Sequence, residues 1–143
     1  MKQLILCVLC GFIGLTANAQ LLSGSSDYVF TSVYDSDGDE TEMPGHPNTI
    51  NVMVVTSNFF GILQTSCSYA EYNLMTGNMS GYITFNEYRG VRYGWHIYSW
   101  NGSFVYIKND WSKVRVQMSY YNGNFCEYRK KIPNEDINDA ATW

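Results

Sequence analysis

The sequence predicts an all-β fold: an antiparallel meander of about seven to eight strands, closed as a small barrel or packed as a sandwich. Three observations point there. After residue 19, Tyr, Phe, Trp, Val, Ile and Thr dominate while good helix formers are sparse. Within Lys113–Tyr120, the apolar Val114, Val116, Met118 and Tyr120 alternate with Lys113, Arg115, Gln117 and Ser119. That period of two puts one face in a core and the other in water, as antiparallel sheets allow. Two Asn-Gly pairs, Asn101-Gly102 and Asn122-Gly123, stand between such runs, and both residue types tolerate the positive φ of tight hairpin turns.

Residues 1–19 read as a cleavable leader. Lys2 precedes the apolar run Leu4–Leu15, and Ala17 and Ala19 place small residues at −3 and −1 of a cleavage site. A run of about a dozen residues is too short for a spanning helix, which needs about 20. Cys7 and Cys10 each follow Leu, unlike a lipid-modified cysteine, and are expected to leave with the leader. Residues 20–143 then form a single β-rich domain, secreted or periplasmic, with no transmembrane segment after cleavage.

Along that domain, Tyr28–Tyr34 and Thr49–Thr56 are strand candidates separated by a loop rich in Asp, Gly and Pro. Asn58–Leu74 is ambiguous: Phe59, Ile62, Leu63, Cys67 and Ala70 fall at helical spacing, whereas Thr65, Ser66, Cys67 and Ser68 are poor helix formers, so one or two strands are expected. Gly81, Gly102 and Gly123 recur 21 residues apart, each soon followed by an aromatic, which reads as one hairpin per period. The expected strands there are Tyr82–Tyr88, Arg92–Trp100, Ser103–Lys108, Lys113–Tyr120 and Phe125–Lys131. A three-residue bulged loop at Asn122-Gly123 would set Met118 opposite Cys126 and Val116 opposite Tyr128, keeping the apolar face continuous. Residues 133–143 form an acidic tail.

Charge is unevenly spread. Residues 20–88 hold no Lys or Arg and eight acids, while 89–143 hold eight bases and five acids. A net acidic chain with dispersed bases is a poor nucleic-acid binder, so no nucleic-acid partner is expected. The loop Asp35-Ser36-Asp37-Gly38-Asp39 is the one candidate metal site, with Asp35, Asp37 and Asp39 as ligands for calcium; the alternative is a solvated hairpin tip centred on Asp37-Gly38. Its glycine falls between the second and third acids, and Thr41–Pro47 carries no terminal liganding Glu other than Glu42.

Of four cysteines, Cys67 and Cys126 remain after cleavage, and an oxidising compartment makes a disulfide between them the natural pairing, two buried thiols the alternative. No nucleophile, base and orienting group can be named together: His46 sits in a turn-like Pro-Gly-His-Pro segment, and His96 lies in a strand where a packed ring is the default. The aromatics exceed what one core face needs. Tyr98, Trp100, Tyr106, Trp111 and Tyr121 are the candidate ligand-binding face, suited to a glycan, peptide or protein. The expected function is therefore a non-catalytic exported binding domain; a small secreted hydrolase and a carrier of an apolar ligand inside the barrel are the alternatives. Asn78-Met79-Ser80 and Asn101-Gly102-Ser103 match the glycan-acceptor pattern of a eukaryotic host.

Overall fold

The computed structural model describes residues 20–72 and 78–133. Residues 1–19, 73–77 and 134–143 lie outside the described residues, and with them the expected leader and acidic tail. Ten strands form one antiparallel sheet: β1 (Gly24–Tyr34), β2 (Glu40–Thr41), β3 (Thr49–Phe59), β4 (Ile62–Tyr72), β5 (Met79–Phe85), β6 (Glu87–Arg92), β7 (Trp95–Trp100), β8 (Ser103–Lys108), β9 (Lys113–Gln117) and β10 (Phe125–Lys130). The spatial order is β5-β4-β3-β1-β10-β9-β8-β7-β6, with β2 attached to the end of β1. Sequential hairpins run up and down, and β1 lies between β3 and the last strand, so the chain's first and last strands join its two halves. Among the described residues no helix is long and apolar enough to cross a membrane.

The sheet curls because its two outermost strands are neighbours in the chain. Only Asn86 separates β5 from β6, yet β5 pairs with β4 and β6 with β7, so residues 79–92 form one ribbon bent from one side of a half-barrel to the other. Register shifts at Phe30/Ser32, Tyr69/Glu71 and Tyr88/Gly90 add the local bends and twist that such curvature needs.

Alternation decides what lies inside. Val114 and Val116, Val105 and Ile107, Ile50, Val52 and Val54 all point into the half-barrel and are buried, as the period of two requires. Rings fill the middle: Tyr28, Tyr69, Tyr98, Tyr128 and Phe85 are each no more than 1% exposed. Burying a tyrosine hydroxyl without a partner is costly, and the ring is long enough to reach polar groups at the barrel ends; among the described residues the Tyr69 hydroxyl is the exception, with no partner. Tyr28 donates to the Trp111 carbonyl at 2.9 Å, Tyr128 to the Pro47 carbonyl at 2.8 Å, and the Tyr98 and Thr65 hydroxyls lie 2.8 Å apart.

Several expectations are corrected. Tyr82–Tyr88 is interrupted at Asn86, and Arg92–Trp100 is broken by the turn Tyr93-Gly94, whose φ angles are +51° and +80°. The one or two strands expected in Asn58–Leu74 are present as far as the described residues reach, as the end of β3, a turn at Phe60-Gly61 with φ of +50° and +80°, and β4. These turns match Asn101-Gly102 in backbone conformation while placing an aromatic where Asn is the usual occupant. In the last hairpin β9 ends at Gln117, and a short 3-10 turn over Ser119–Tyr121 lengthens the loop. Cys126 therefore faces Val116 and Tyr128 faces Val114, two residues away from the expected register. A slip of two leaves every side chain on its own face, so the apolar surface stays continuous.

The disulfide is also corrected: Cys67 and Cys126 are free thiols, both buried. They sit on β4 and β10 with β3 and β1 between, three strand spacings or roughly 14 Å along the sheet, against the limit of about 7 Å between Cα atoms of a bridge. Burial pushes the Cys67 thiol well above its ordinary range and that of Cys126 up to about 12. Reductant is accordingly expected to leave the melting temperature unchanged. Both thiols should resist alkylation until denaturant is added, and an intact mass showing them bridged would contradict this arrangement.

His96 is fully buried, its Nδ1 2.9 Å from the Tyr88 hydroxyl. Burial lowers its pKa below the ordinary 6.5, an effect that the neighbouring Asn109 side chain partly opposes. Below pH 6.5 the unfolded chain takes up the proton more readily than the folded one, so this residue's contribution to stability is complete above 6.5 and is lost as pH falls below it. Melting temperature should drop between pH 7.5 and pH 5.0, and His96→Gln should flatten that slope in thermal scans.

Candidate binding face

Of the five aromatics singled out from the sequence, the structure brings no set together on one surface. Tyr98 is completely buried and Tyr121 is 5% exposed, so both belong to the core rather than to a ligand face. Tyr98 and Trp100 share the inward side of β7 by alternation, but Trp100 stands at the strand end and is 38% exposed. Trp111 lies in the β8–β9 loop, packs against the core, and lines a small concavity of about 420 Å³ with Gln20–Ser23 and Asn109. Tyr106 alone points outward from the sheet as a half-buried ring, opposite Ile97 and Arg115.

The Asp35–Asp39 loop forms a hydrogen-bonded hairpin tip. One carboxylate oxygen of Asp35 accepts the backbone N–H groups of Asp37 and Asp39, both at 2.9 Å, and Gly38 N–H donates to the Asp35 carbonyl. Asp35 therefore serves the hairpin tip itself, the alternative weighed for this loop, and among the described residues no group of three or more acids, histidines or cysteines converges on a point.

A groove of about 830 Å³ built from strands lies instead on the outer face of β6–β10. Register arranges its residues in rows across the strands. The first row runs Ser99, Phe104, Gln117, Phe125 and Tyr34, with the Tyr34 and Phe125 rings stacked at 5.4 Å. A second runs Gly90, Ile97, Tyr106, Arg115 and Glu127. The third holds Arg92 opposite Trp95, Trp95 opposite Lys108, and Lys113 opposite Arg129. Since Ile107 faces Val114, alternation sets Lys108 beside Lys113 and makes this last row continuous.

Four bases therefore lie along one line across adjacent strands. Like charges directly opposite destabilise a sheet, so this row costs folding energy. Two local devices offset part of that cost. Trp95 receives the Lys108 ammonium at 4.8 Å and the Arg115 guanidinium at 4.5 Å from its ring centre, and Arg115 also lies 5.1 Å from Phe125. Glu127, nearly buried and the one acid among the outward residues of β7–β10, lies 3.4 Å from Arg115 and 4.0 Å from Lys113. At the β6 rim, Arg89 donates to Glu87 at 2.9 Å and to Ser99 at 2.8 Å. Burial raises the Tyr106 pKa, an effect that Arg115 partly reverses, so the hydroxyl stays protonated and able to donate.

The acidic hairpin tip approaches the other end of the groove, where Ser36 packs near Gly123. The face is thus polarised, with bases along the Arg92–Arg129 row and the Asp35–Asp39 turn beyond Phe125. Comparison with family models, curated proteins and solved structures finds no match to the chain, so the chemistry of this face rests on its own residues.

Trp95, Phe104, Phe125 and Arg115 were not among the sequence candidates. The signal for them was the polar side of β9: Arg115 and Lys113 mark an outward face, and aromatics of matching parity on the paired strands necessarily join them. Glu127→Gln is expected to destabilise the fold by about 1–2 kcal/mol, above a surface pair and below a fully buried one because its partners are half exposed. The loss should grow at low salt in urea titrations, and equal loss at all ionic strengths would refute the charge argument.

Proposed function

We propose that the protein is an exported, non-catalytic binding module, released by cleavage of residues 1–19, that holds an acidic glycan on the outer face of β6–β10. One observation carries this reading: a row of four bases crosses adjacent strands, at a cost to the sheet, beside Trp95 and the outward rings of Phe104, Tyr106 and Phe125. Flat aromatic surfaces suit the apolar faces of sugar rings, and fixed guanidinium groups suit carboxylates or sulfates. The carrier alternative has less support, because five buried rings occupy the barrel interior. A hydrolase working through a carboxylate pair such as Glu71 and Glu87 has less support as well, since the Glu87 carboxylate is engaged by Arg89 and Ser99.

The test is calorimetric titration of the domain with polygalacturonate and with an uncharged glucan of similar length. Binding to the acidic polymer, weakening with salt, is expected; Trp95→Ala should weaken it by about tenfold or more, and Lys108→Ala with Lys113→Ala should reduce its salt dependence. Absence of binding to acidic polysaccharides, or binding indifferent to Trp95, would overturn the proposal.

A further inference from the structure

The longest hairpin ends in an unusual way. β3 and β4 continue past their neighbours: the last pair with β1 is Gly24–Val54 and the last with β5 is Cys67–Phe85, so residues 55–66 pair only with each other. Its root is fixed by polar contacts, with Thr56 donating to the Leu22 carbonyl at 2.7 Å and Thr65 bonded to Tyr98. Residues 57–64 are all exposed. From Thr56 to Phe60, four residues of extended chain carry the turn roughly 13 Å beyond that root.

The tip is Phe59-Phe60-Gly61-Ile62-Leu63. Exposure is 65% for Phe59, 90% for Phe60, 64% for Ile62 and 61% for Leu63. Phe60 adopts φ of +50°, a conformation in which a large side chain is uncommon, and here it holds the ring at the extreme of the hairpin. Behind the tip, Val55 and Met53 continue an exposed apolar line along the outer side of β3. No Asp, Glu, Lys, Arg or His occurs anywhere from Thr49 to Ala70. Soluble proteins guard exposed hairpins with charge, and this one carries none.

We propose that this tip inserts into the surface of an uncharged lipid bilayer. Register puts Phe59 and Ile62 on one face of the ribbon and Leu63 on the other, so a flat contact with a second copy would cover only one side of the tip, whereas a bilayer surrounds it. The reach matches the headgroup and upper acyl region. It does not match a span, because the two unpaired edges of an isolated hairpin would leave backbone groups unsatisfied in hydrocarbon. Ser57, Asn58 and Gln64 form the polar collar just behind the tip, at the level of the headgroups. Charge selects the lipid: residues 20–88 contain no Lys or Arg, so the hairpin half of the molecule has no means of attracting an anionic membrane.

The experiment uses residues 20–143, which contain all the buried side chains of the described residues, and phosphatidylcholine vesicles in a flotation assay. The protein should float with the vesicles at all salt concentrations. Phe60→Asn with Leu63→Ser should reduce partitioning at least about tenfold while melting as the parent does, since Asn suits a positive φ and both sites are exposed. In a Phe60→Trp variant, lipids brominated on the upper acyl chain should quench tryptophan emission beyond that of the parent. Failure to float, flotation unchanged in the double variant, or flotation without added quenching would overturn the proposal. So would binding confined to phosphatidylglycerol vesicles and abolished by salt, or tip-dependent self-association without vesicle binding. None of these outcomes bears on the acidic-glycan reading, which the polygalacturonate titration tests on the opposite half of the chain.

Discussion

Pairing of the first strand with the last is the constraint on which the rest of this fold depends. Among the described residues β1 alone is bonded to both halves of the meander, β3 on one side and β10 on the other, and its Tyr28 reaches across the interior to the carbonyl of Trp111. Backbone bonds continue past the strand ends, from Lys131 to Asp27 and from Lys130 to Ser112. With that seam fixed, the direction of every side chain on β7–β10 follows from alternation. Apolar groups turn inward to Val105, Ile107, Val114 and Val116, and the bases and remaining rings are committed to a common outer surface.

The strand alternation was the most legible part of the sequence. Val114 and Val116 against Lys113 and Arg115 located both a core face and a wet face, and Asn101-Gly102 located a turn that the structure forms with Trp100 opposite Ser103. Less legible were the turns at Phe60-Gly61 and Tyr93-Gly94, because an aromatic at a positive φ carries no local signal, and tertiary pairing of the flanking strands enforces it. The last hairpin's register escaped for a related reason: the 3-10 turn at Ser119–Tyr121 uses residues whose pattern reads equally well as strand.

The candidate face was only partly legible. Aromatic excess was visible in composition, yet assigning rings to a surface requires knowing which strands pair and in what register, information that lies between segments and not within them. Tyr98 and Tyr106 look alike along the chain and end on opposite sides of the sheet. Cys67 and Cys126 show the same limit, since two inward thiols are compatible with a bridge until the number of intervening strands is known.

The bent ribbon at residues 79–92 carries a mechanical consequence. Its leading half belongs to the β4 side and its trailing half to the β7 side, so neither side can loosen without tugging the other through a single asparagine. A strand shared in this way ties the fates of both walls together, and the domain is built to give way as one body instead of shedding one wall while the other stands.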